Sequence, residues 1–397
     1  MSPRFKVRSA RGRGIISKRV EGISPSGIRK FFDIISTMEG VISLGVGEPD
    51  FTTPWNVSEA GIYSLEKGYT MYTSNKGLLE LRQELARHLS SRYELEYNPE
   101  TEILITVGVS EGLDLAMRSI INPRDEVLSP DPTFVSYGPC TVLAGGRFVP
   151  VPTTVENDFK VRAADIKKRI TDRTKAILIG YPNNPTGTVM ERHELEEVAE
   201  IAQKHDLIVV SDEIYNRLVY GVEHTCFSTL PSMKDRTILL GGFSKSYAMT
   251  GWRVGYAAAR PEIIEAMTKV HQYTMLCAPI IAQMAAIEAL KAGDAAVEEM
   301  VADYDQRRRV MLKGLTDIGL QCFEPKGAFY CFPSIKGTGL SSEEFAEKLL
   351  LEEKVAVVPG LAFGESGEGY VRSCYAPAMA DIEEALRRMG RFVERYE

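Results

Sequence analysis

An α/β chain with a largely parallel sheet is the fold class this sequence predicts, and three observations carry that reading. Between about residues 100 and 260, short β-rich runs alternate with stretches of helical period, the pattern of a sheet with helices on both faces. After about residue 280 the texture changes to long helices and short strands, which predicts a smaller α+β domain. At 397 residues the chain is also longer than one typical core, so two domains are expected.

The strands of the large part are expected at 103–107, EVLSP (126–130), RFVPV (147–151), KAILIG (175–180), LIVVSD (207–212) and TILLGG (237–242), all read as buried. Helical stretches such as 111–121 and 192–205 separate them. A long helix is expected over 294–318, stopping at Gly319, with Val297, Val301, Tyr304, Met311, Leu315 and Ile318 along one face. The Arg307-Arg308-Arg309 run is assigned to its solvated side. Strands are expected in 327–332, 355–360 and 369–375, with a closing helix over 380–395. The expected division is an N-terminal arm and small-domain segment over 1–47, a large domain over 48–285 and a small domain over 286–397.

Composition narrows the class. Hydrophobic residues at 44%, charged residues at 25% and a net charge of −7 describe an ordinary globular protein and argue against a nucleic-acid-binding surface. Arg4, Lys6, Arg8, Arg11, Arg13, Lys18 and Arg19 make the first twenty residues basic. That arm lacks the serine richness of a transit peptide, and a solvated or partner-crossing arm is expected instead. No apolar run approaches the roughly 20 residues of a membrane span. Six scattered cysteines and five scattered histidines give neither a disulfide framework nor a metal or triad constellation, and a reducing cytoplasm fits.

Ligands of open α/β sheets sit beyond the carboxyl ends of the strands, so the residues directly after the apolar runs are the candidates. Gly108-Val109-Ser110 opens a helix after the first run, where backbone N–H groups and a hydroxyl suit an anion, although ordinary capping uses the same residues. Tyr181-Pro182-Asn183-Asn184-Pro185-Thr186-Gly187 follows KAILIG. Its prolines would fix an Asn amide at a set angle, and by composition a structural turn fits as well. Asp212 closes LIVVSD with Tyr215 three residues on; a carboxylate there is either a helix cap or the partner of a cationic ligand group.

GGFSKSYAMTGWRVGY (241–256) supplies Lys245 and, eight residues later, Arg253. A free lysine titrates near ~10.4 and becomes a nucleophile only when burial or neighbouring charge lowers that value. The guanidinium fork suits a phosphate. The stretch is not a phosphate-binding loop of the nucleotide type, because Ser244 rather than glycine precedes the lysine. Phosphate, ring cation and aldehyde together point to pyridoxal 5′-phosphate.

From near residue 22 to its end the chain resembles the fold-type I, class I/II aminotransferases, on the motifs SKSYAMTGWRVG, NNPTG and SDEIY in that order and spacing. The resemblance implies a large domain with a mostly parallel seven-stranded sheet sandwiched by helices. It implies that Lys245 carries pyridoxal phosphate as an imine and then acts as general base, and that Arg253, Ser244, Val109 and Ser110 hold the phosphate. Asp212 would pair with the ring nitrogen, Asn184 and Tyr215 with the ring hydroxyl, and Phe134 would stack on the ring. Tyr72, in YTSNKG, would reach the phosphate of a neighbouring subunit, which implies a homodimer with shared sites. Arg372, in GYVRSCY, would grip the substrate carboxylate, and Gly47 would line the substrate site. One departure is Gly242, where many aspartate aminotransferases carry a phosphate-binding serine.

Substrate choice is less marked. The stretch 271–283 has no arginine where dicarboxylate-specific members often place one, and its texture with SPSGIRKFFD (24–33) and GAFYCFPSIK (327–336) resembles the aromatic or broad-specificity branch. The expectation is a transaminase moving the amino group of an L-amino acid to 2-oxoglutarate by ping-pong kinetics. Aspartate specificity is the near alternative, acylated diaminopimelate and alanine are further substrates of related sequences, and β C–S lysis is a more distant one. An effector-sensing regulator would need a DNA-binding domain for which the residues before the resemblance leave no room.

Overall fold

The computed structural model describes residues 15–24 and 38–396. The basic side chains from Arg4 to Arg13 and most of the 24–33 stretch lie outside the described residues.

Twelve strands are named here in chain order: β1 (Ile42–Ser43), β2 (Ile103–Thr106), β3 (Glu126–Asp131), β4 (Arg147–Pro152), β5 (Thr174–Ile179), β6 (Ile208–Asp212), β7 (Thr237–Gly242), β8 (Gly255–Ala258), β9 (Tyr330–Cys331), β10 (Val355–Ala356), β11 (Val358–Pro359) and β12 (Val371–Cys374). Seven form one sheet in the order β2-β8-β7-β6-β5-β3-β4. Pairing is parallel from β7 through to β4, and β8 alone runs antiparallel to both of its neighbours. The sheet is thus seven-stranded and mostly parallel, as expected.

Burial on both faces explains why the strand sequences are continuous apolar runs. In β5, Ala176 and Leu178 pack into a cluster with Leu113 and Met117 of the helix Gly108–Ile120, while Ile177 and Ile179 pack opposite, against Leu195, Val198 and Ala202 of the helix Arg192–Lys204. Each fully buried Leu or Ile contributes about 1.5–3 kcal/mol, so helices are held on both faces.

Two expectations are corrected. RFVPV was expected to be buried, but β4 is the sheet edge and only Val151 in it is buried. Pro150 and Pro152 lack the N–H that an interior strand needs, which is why the run ends the sheet. The arginine run is not all solvated, since Arg307 and Arg308 are buried in the helix Asp294–Asp317. Carboxylates compensate them: Asp50 at 2.8 Å from Arg307, and Asp305 and Glu324 at 2.7 and 2.8 Å from Arg308. Only Arg309 points outward.

β11, β12 and β9 form a separate antiparallel sheet, and β1 pairs in parallel with β10, which brings residues 42–47 beside the strands of the C-terminal part. The helix Ser342–Glu353 starts in a capping box in which the Ser341 hydroxyl accepts from the Glu344 N–H while the Glu344 carboxylate accepts from the Ser341 N–H. Among the described residues no helix is long and apolar enough to cross a membrane.

Candidate active site

β5, β6 and β7 are adjacent and parallel, so the residues that follow them emerge side by side on one rim of the sheet. β2 points the same way, because two antiparallel pairings separate it from β7. β8 runs the other way, so its beginning, just after Arg253, lies at that same rim. The chain leaves β7, passes Lys245 and returns past Arg253 into β8. This accounts for an amine and a guanidinium eight residues apart on one opening. Gly255 sits where β8 crosses the turn after β2; a Cβ there would be 2.8 Å from both the Gly108 carbonyl carbon and the Val109 nitrogen.

A cavity of about 260 Å³ opens at this rim. It is lined by Gly47, Val109, Ser110, Phe134, Asn184, Asp212, Tyr215, Ser244, Lys245, Arg253 and Arg372, so eleven of the twelve residues singled out in the sequence come together. Tyr72 is the exception: it is 80% exposed on the surface of the single chain.

Lys245 projects into the cavity, where water reaches part of its surface while protein surrounds the rest. Its Nζ donates to the Gly47 carbonyl at 2.6 Å. Burial pushes its ammonium down to about 8, with the positive charges of Arg372 and Arg253 assisting and Glu48 opposing. A neutral, nucleophilic amine is therefore accessible near neutral pH. The cofactor-free protein should capture pyridoxal phosphate at a rate that rises with pH around a midpoint of about 8. Stopped-flow absorbance between pH 6 and 10 checks this, and a rise delayed towards the ~10.4 of free lysine would contradict it.

Asp212 is 6% exposed at the end of β6. Its bonded partners are neutral: the Tyr137 hydroxyl donates to Oδ2 at 3.0 Å and the Ile214 N–H to Oδ1 at 3.3 Å. Burial raises its carboxyl to about 6, and those two donors only partly offset it. A buried carboxylate so placed is stabilised by a cation arriving in the cavity. Tyr137 is a site residue that sequence reasoning missed. No local sequence signal marks it; only the fold shows that Gly180 admits it, since a Cβ there would lie 2.3 Å from the Tyr137 hydroxyl.

The helix Gly108–Ile120 begins at the rim, with first-turn N–H groups that have no acceptor within the helix. Glu111 braces the turn: its Oε2 accepts from the Val107 N–H at 2.6 Å, and its Oε1 bonds the buried His271 Nδ1 at 2.7 Å. The Arg253 guanidinium lies against Gly108, whose backbone is left-handed at φ +72°. Ser110, Ser244 and Arg253 add hydroxyl and guanidinium donors around this turn, a set suited to a phosphate.

Arg372 lies in β12, 3% exposed. It donates from Nη1 to Asn184 Oδ1 at 2.8 Å and from Nη2 to the Gly45 carbonyl at 2.6 Å, and its buried Nε has no partner. The guanidinium carbon lies over the rings of Tyr330 and Phe363, 4.4 and 4.8 Å from their centroids. A planar cation that lines the cavity suits a carboxylate. Tyr330 is the second residue sequence reasoning missed.

The donor set thus fits pyridoxal phosphate, with an amine to capture the aldehyde, anion-binding groups on one side and a buried carboxylate for a ring cation. Fold and site define the class, a pyridoxal-phosphate-dependent enzyme of fold type I. The sequence pattern of "Aminotransferase class I and II" matches residues 39–389. A putative aminotransferase, YugH, of Bacillus subtilis is 56% identical over 380 residues, covering 96% of this chain and 98% of the relative. An aspartate aminotransferase of Pyrococcus abyssi is 48% identical over 94% of this chain and 97% of its own length. The crystal structure of an aromatic aminotransferase from Pyrococcus horikoshii superposes with a TM-score of 0.88 at 45% identity, covering 92% of this chain and 99% of that one. The chain belongs to the class I and II aminotransferases, and it is a pyridoxal-phosphate-dependent transaminase acting on amino and oxo acids.

Proposed function

We propose that the enzyme transfers the amino group of aromatic, or broadly of several, L-amino acids to 2-oxoglutarate in two half-reactions with ping-pong kinetics. The observation that carries this reading is the lining of the cavity. Its guanidinium groups among the described residues are Arg253, beside the anion-binding turn, and Arg372, which suits the α-carboxylate; Phe134, Tyr137, Tyr215 and Tyr330 are the aromatic surfaces.

Bound pyridoxal phosphate supplies a carbonyl carbon for the amine and a ring that accepts the electron pair left when Cα loses its proton. The residues do the rest. Arg253, Ser110, Ser244 and the Val109 turn hold the phosphate, and Phe134 covers the ring. Asp212 keeps its carboxylate against the ring nitrogen and so holds a proton there. Asn184 and Tyr215 orient the ring oxygen. Arg372 fixes the α-carboxylate of the substrate, with Gly47 forming the floor. With the cofactor engaged by substrate, the ε-nitrogen of Lys245 would take the Cα proton and return it to the carbon that was the cofactor's carbonyl carbon, a general acid–base task.

We also propose a homodimer in which Tyr72 completes the partner's phosphate site. Support comes from exposed apolar surface: Trp55, Met71, Tyr72 and Tyr273 are 70%, 62%, 80% and 86% exposed. Asn75 bonds the Leu276 carbonyl, which brings the Tyr72 stretch against the Tyr273 stretch. A cytoplasmic setting and the division at 47/48 and 285/286 belong to the same proposal.

A half-reaction screen tests the substrate reading. The holoenzyme is mixed with tyrosine, phenylalanine, aspartate, alanine or cysteine, and conversion to the pyridoxamine form is followed before 2-oxoglutarate is added. Aromatic amino acids should convert at least as fast as aspartate, and 2-oxoglutarate should restore the original spectrum. Conversion by aspartate alone would favour aspartate specificity. Pyruvate and sulfide formed from cysteine without an oxo acid would favour C–S lysis.

A further inference from the structure

The structure assigns Tyr330 a positioning role: its hydroxyl sets the hydrogen-bonding direction of Tyr215, and its ring sets the plane of Arg372. The inference rests on the roles proposed above for Tyr215 and Arg372 and adds a residue through which both are held.

Tyr330 lies in β9, 1% exposed, and lines the cavity. Its hydroxyl is 2.7 Å from that of Tyr215, itself 4% exposed. A hydroxyl carries one proton and accepts through two lone pairs. If Tyr330 donates to Tyr215, the Tyr215 proton is free to face the cavity, and the bond it accepts polarises it as a donor. The Tyr330 ring meanwhile lies 4.4 Å from the Arg372 guanidinium carbon. Arg372 is held at two of its nitrogens by Asn184 and Gly45, and the Tyr330 and Phe363 rings fix the plane in which its free Nε points.

Gly47 shows how closely the fit is built. A Cβ at that position would lie 2.2 Å from the Tyr330 oxygen, so glycine lets the backbone approach the hydroxyl. The Gly47 carbonyl accepts the Lys245 bond, which places Tyr330 against the lysine's support as well. One side chain therefore contacts the phenol and the guanidinium and lies against the backbone that holds the amine.

Tyr330→Phe keeps the ring and removes the oxygen, and Tyr330→Leu removes the ring. Holoenzyme variants are compared for melting temperature, for the pH at which the visible cofactor band titrates, and for KM and kcat. A donor to the ring oxygen stabilises its negative form, so weakening that donor should move the titration to higher pH. Tyr330→Phe should shift the band upward by about half a pH unit or more, in the same direction as Tyr215→Phe. The double variant should shift no further than Tyr215→Phe alone, because the two hydroxyls act in one chain. Tyr330→Leu should raise the amino acid KM on the order of tenfold, whereas Tyr330→Phe leaves it within about twofold. A band shift with Tyr215→Phe but none with Tyr330→Phe overturns the hydroxyl role. An unchanged KM in Tyr330→Leu overturns the ring role. A Tyr215→Phe enzyme with no shift contradicts the reading of Tyr215 itself, and the hydroxyl role falls with it.

Discussion

Lys245→Ala should abolish turnover and the absorbance of the lysine-linked cofactor. In the proposed mechanism the variant loses both nucleophile and base, an amine whose ammonium is pushed down to about 8 and which bonds the Gly47 carbonyl in the cavity. General acid–base catalysis alone contributes about 10²–10⁴-fold, and loss of the covalent attachment adds to that, so the expected reduction in kcat is on the order of 10⁴-fold or more. Phosphate binding by Arg253 and the turn at Gly108–Ser110 should persist, leaving a protein that folds and retains cofactor without the lysine bond. Single-turnover absorbance with an amino acid separates the losses, and undiminished transamination by this variant is incompatible with the proposed role.

Asp212→Ala should keep the lysine linkage and lose about 10²–10⁴-fold in rate. Asp212 is buried at the end of β6 with two neutral donors, and burial holds its carboxyl near 6 until a cation arrives. In the proposed mechanism a ring cation beside it would favour the carboxylate form and keep the proton on the ring nitrogen, and removal would leave a poorer acceptor for the Cα electron pair. Borohydride trapping should still label Lys245 in the variant while kcat falls. Near-normal turnover would make the carboxylate a structural cap of the Ile214 N–H.

The parts of the site carried by short motifs at strand ends were legible in the sequence. Asn184, Asp212 and Lys245 follow three consecutive buried runs, and the sheet order makes those runs neighbours. Their convergence follows from topology, with no need to know side-chain contacts. Tyr137 and Tyr330 were not legible, because each meets its hydrogen-bond partner far away in the chain: 75 residues separate Tyr137 from Asp212, and 115 separate Tyr330 from Tyr215. Glycines 180 and 47, which admit the two hydroxyls, read locally as ordinary strand and loop glycines. The burial of Arg307 and Arg308 escaped for a related reason: Asp303 and Asp305 pair with them within the helix, but Asp50 and Glu324, which complete the compensation, belong to other segments. β8 was missed as a strand because GYAA is short and follows a loop that chemistry had already claimed.

Peptide mapping of the borohydride-reduced holoenzyme tests the central claim most directly. Reduction turns the imine into a stable amine, so mass spectrometry should find a phosphopyridoxyl group on the peptide containing Lys245, at about one per chain, and Lys245→Ala should remove it. A reduced holoenzyme whose Lys245 peptide keeps its unmodified mass, or whose adduct lies on another lysine, would contradict the account.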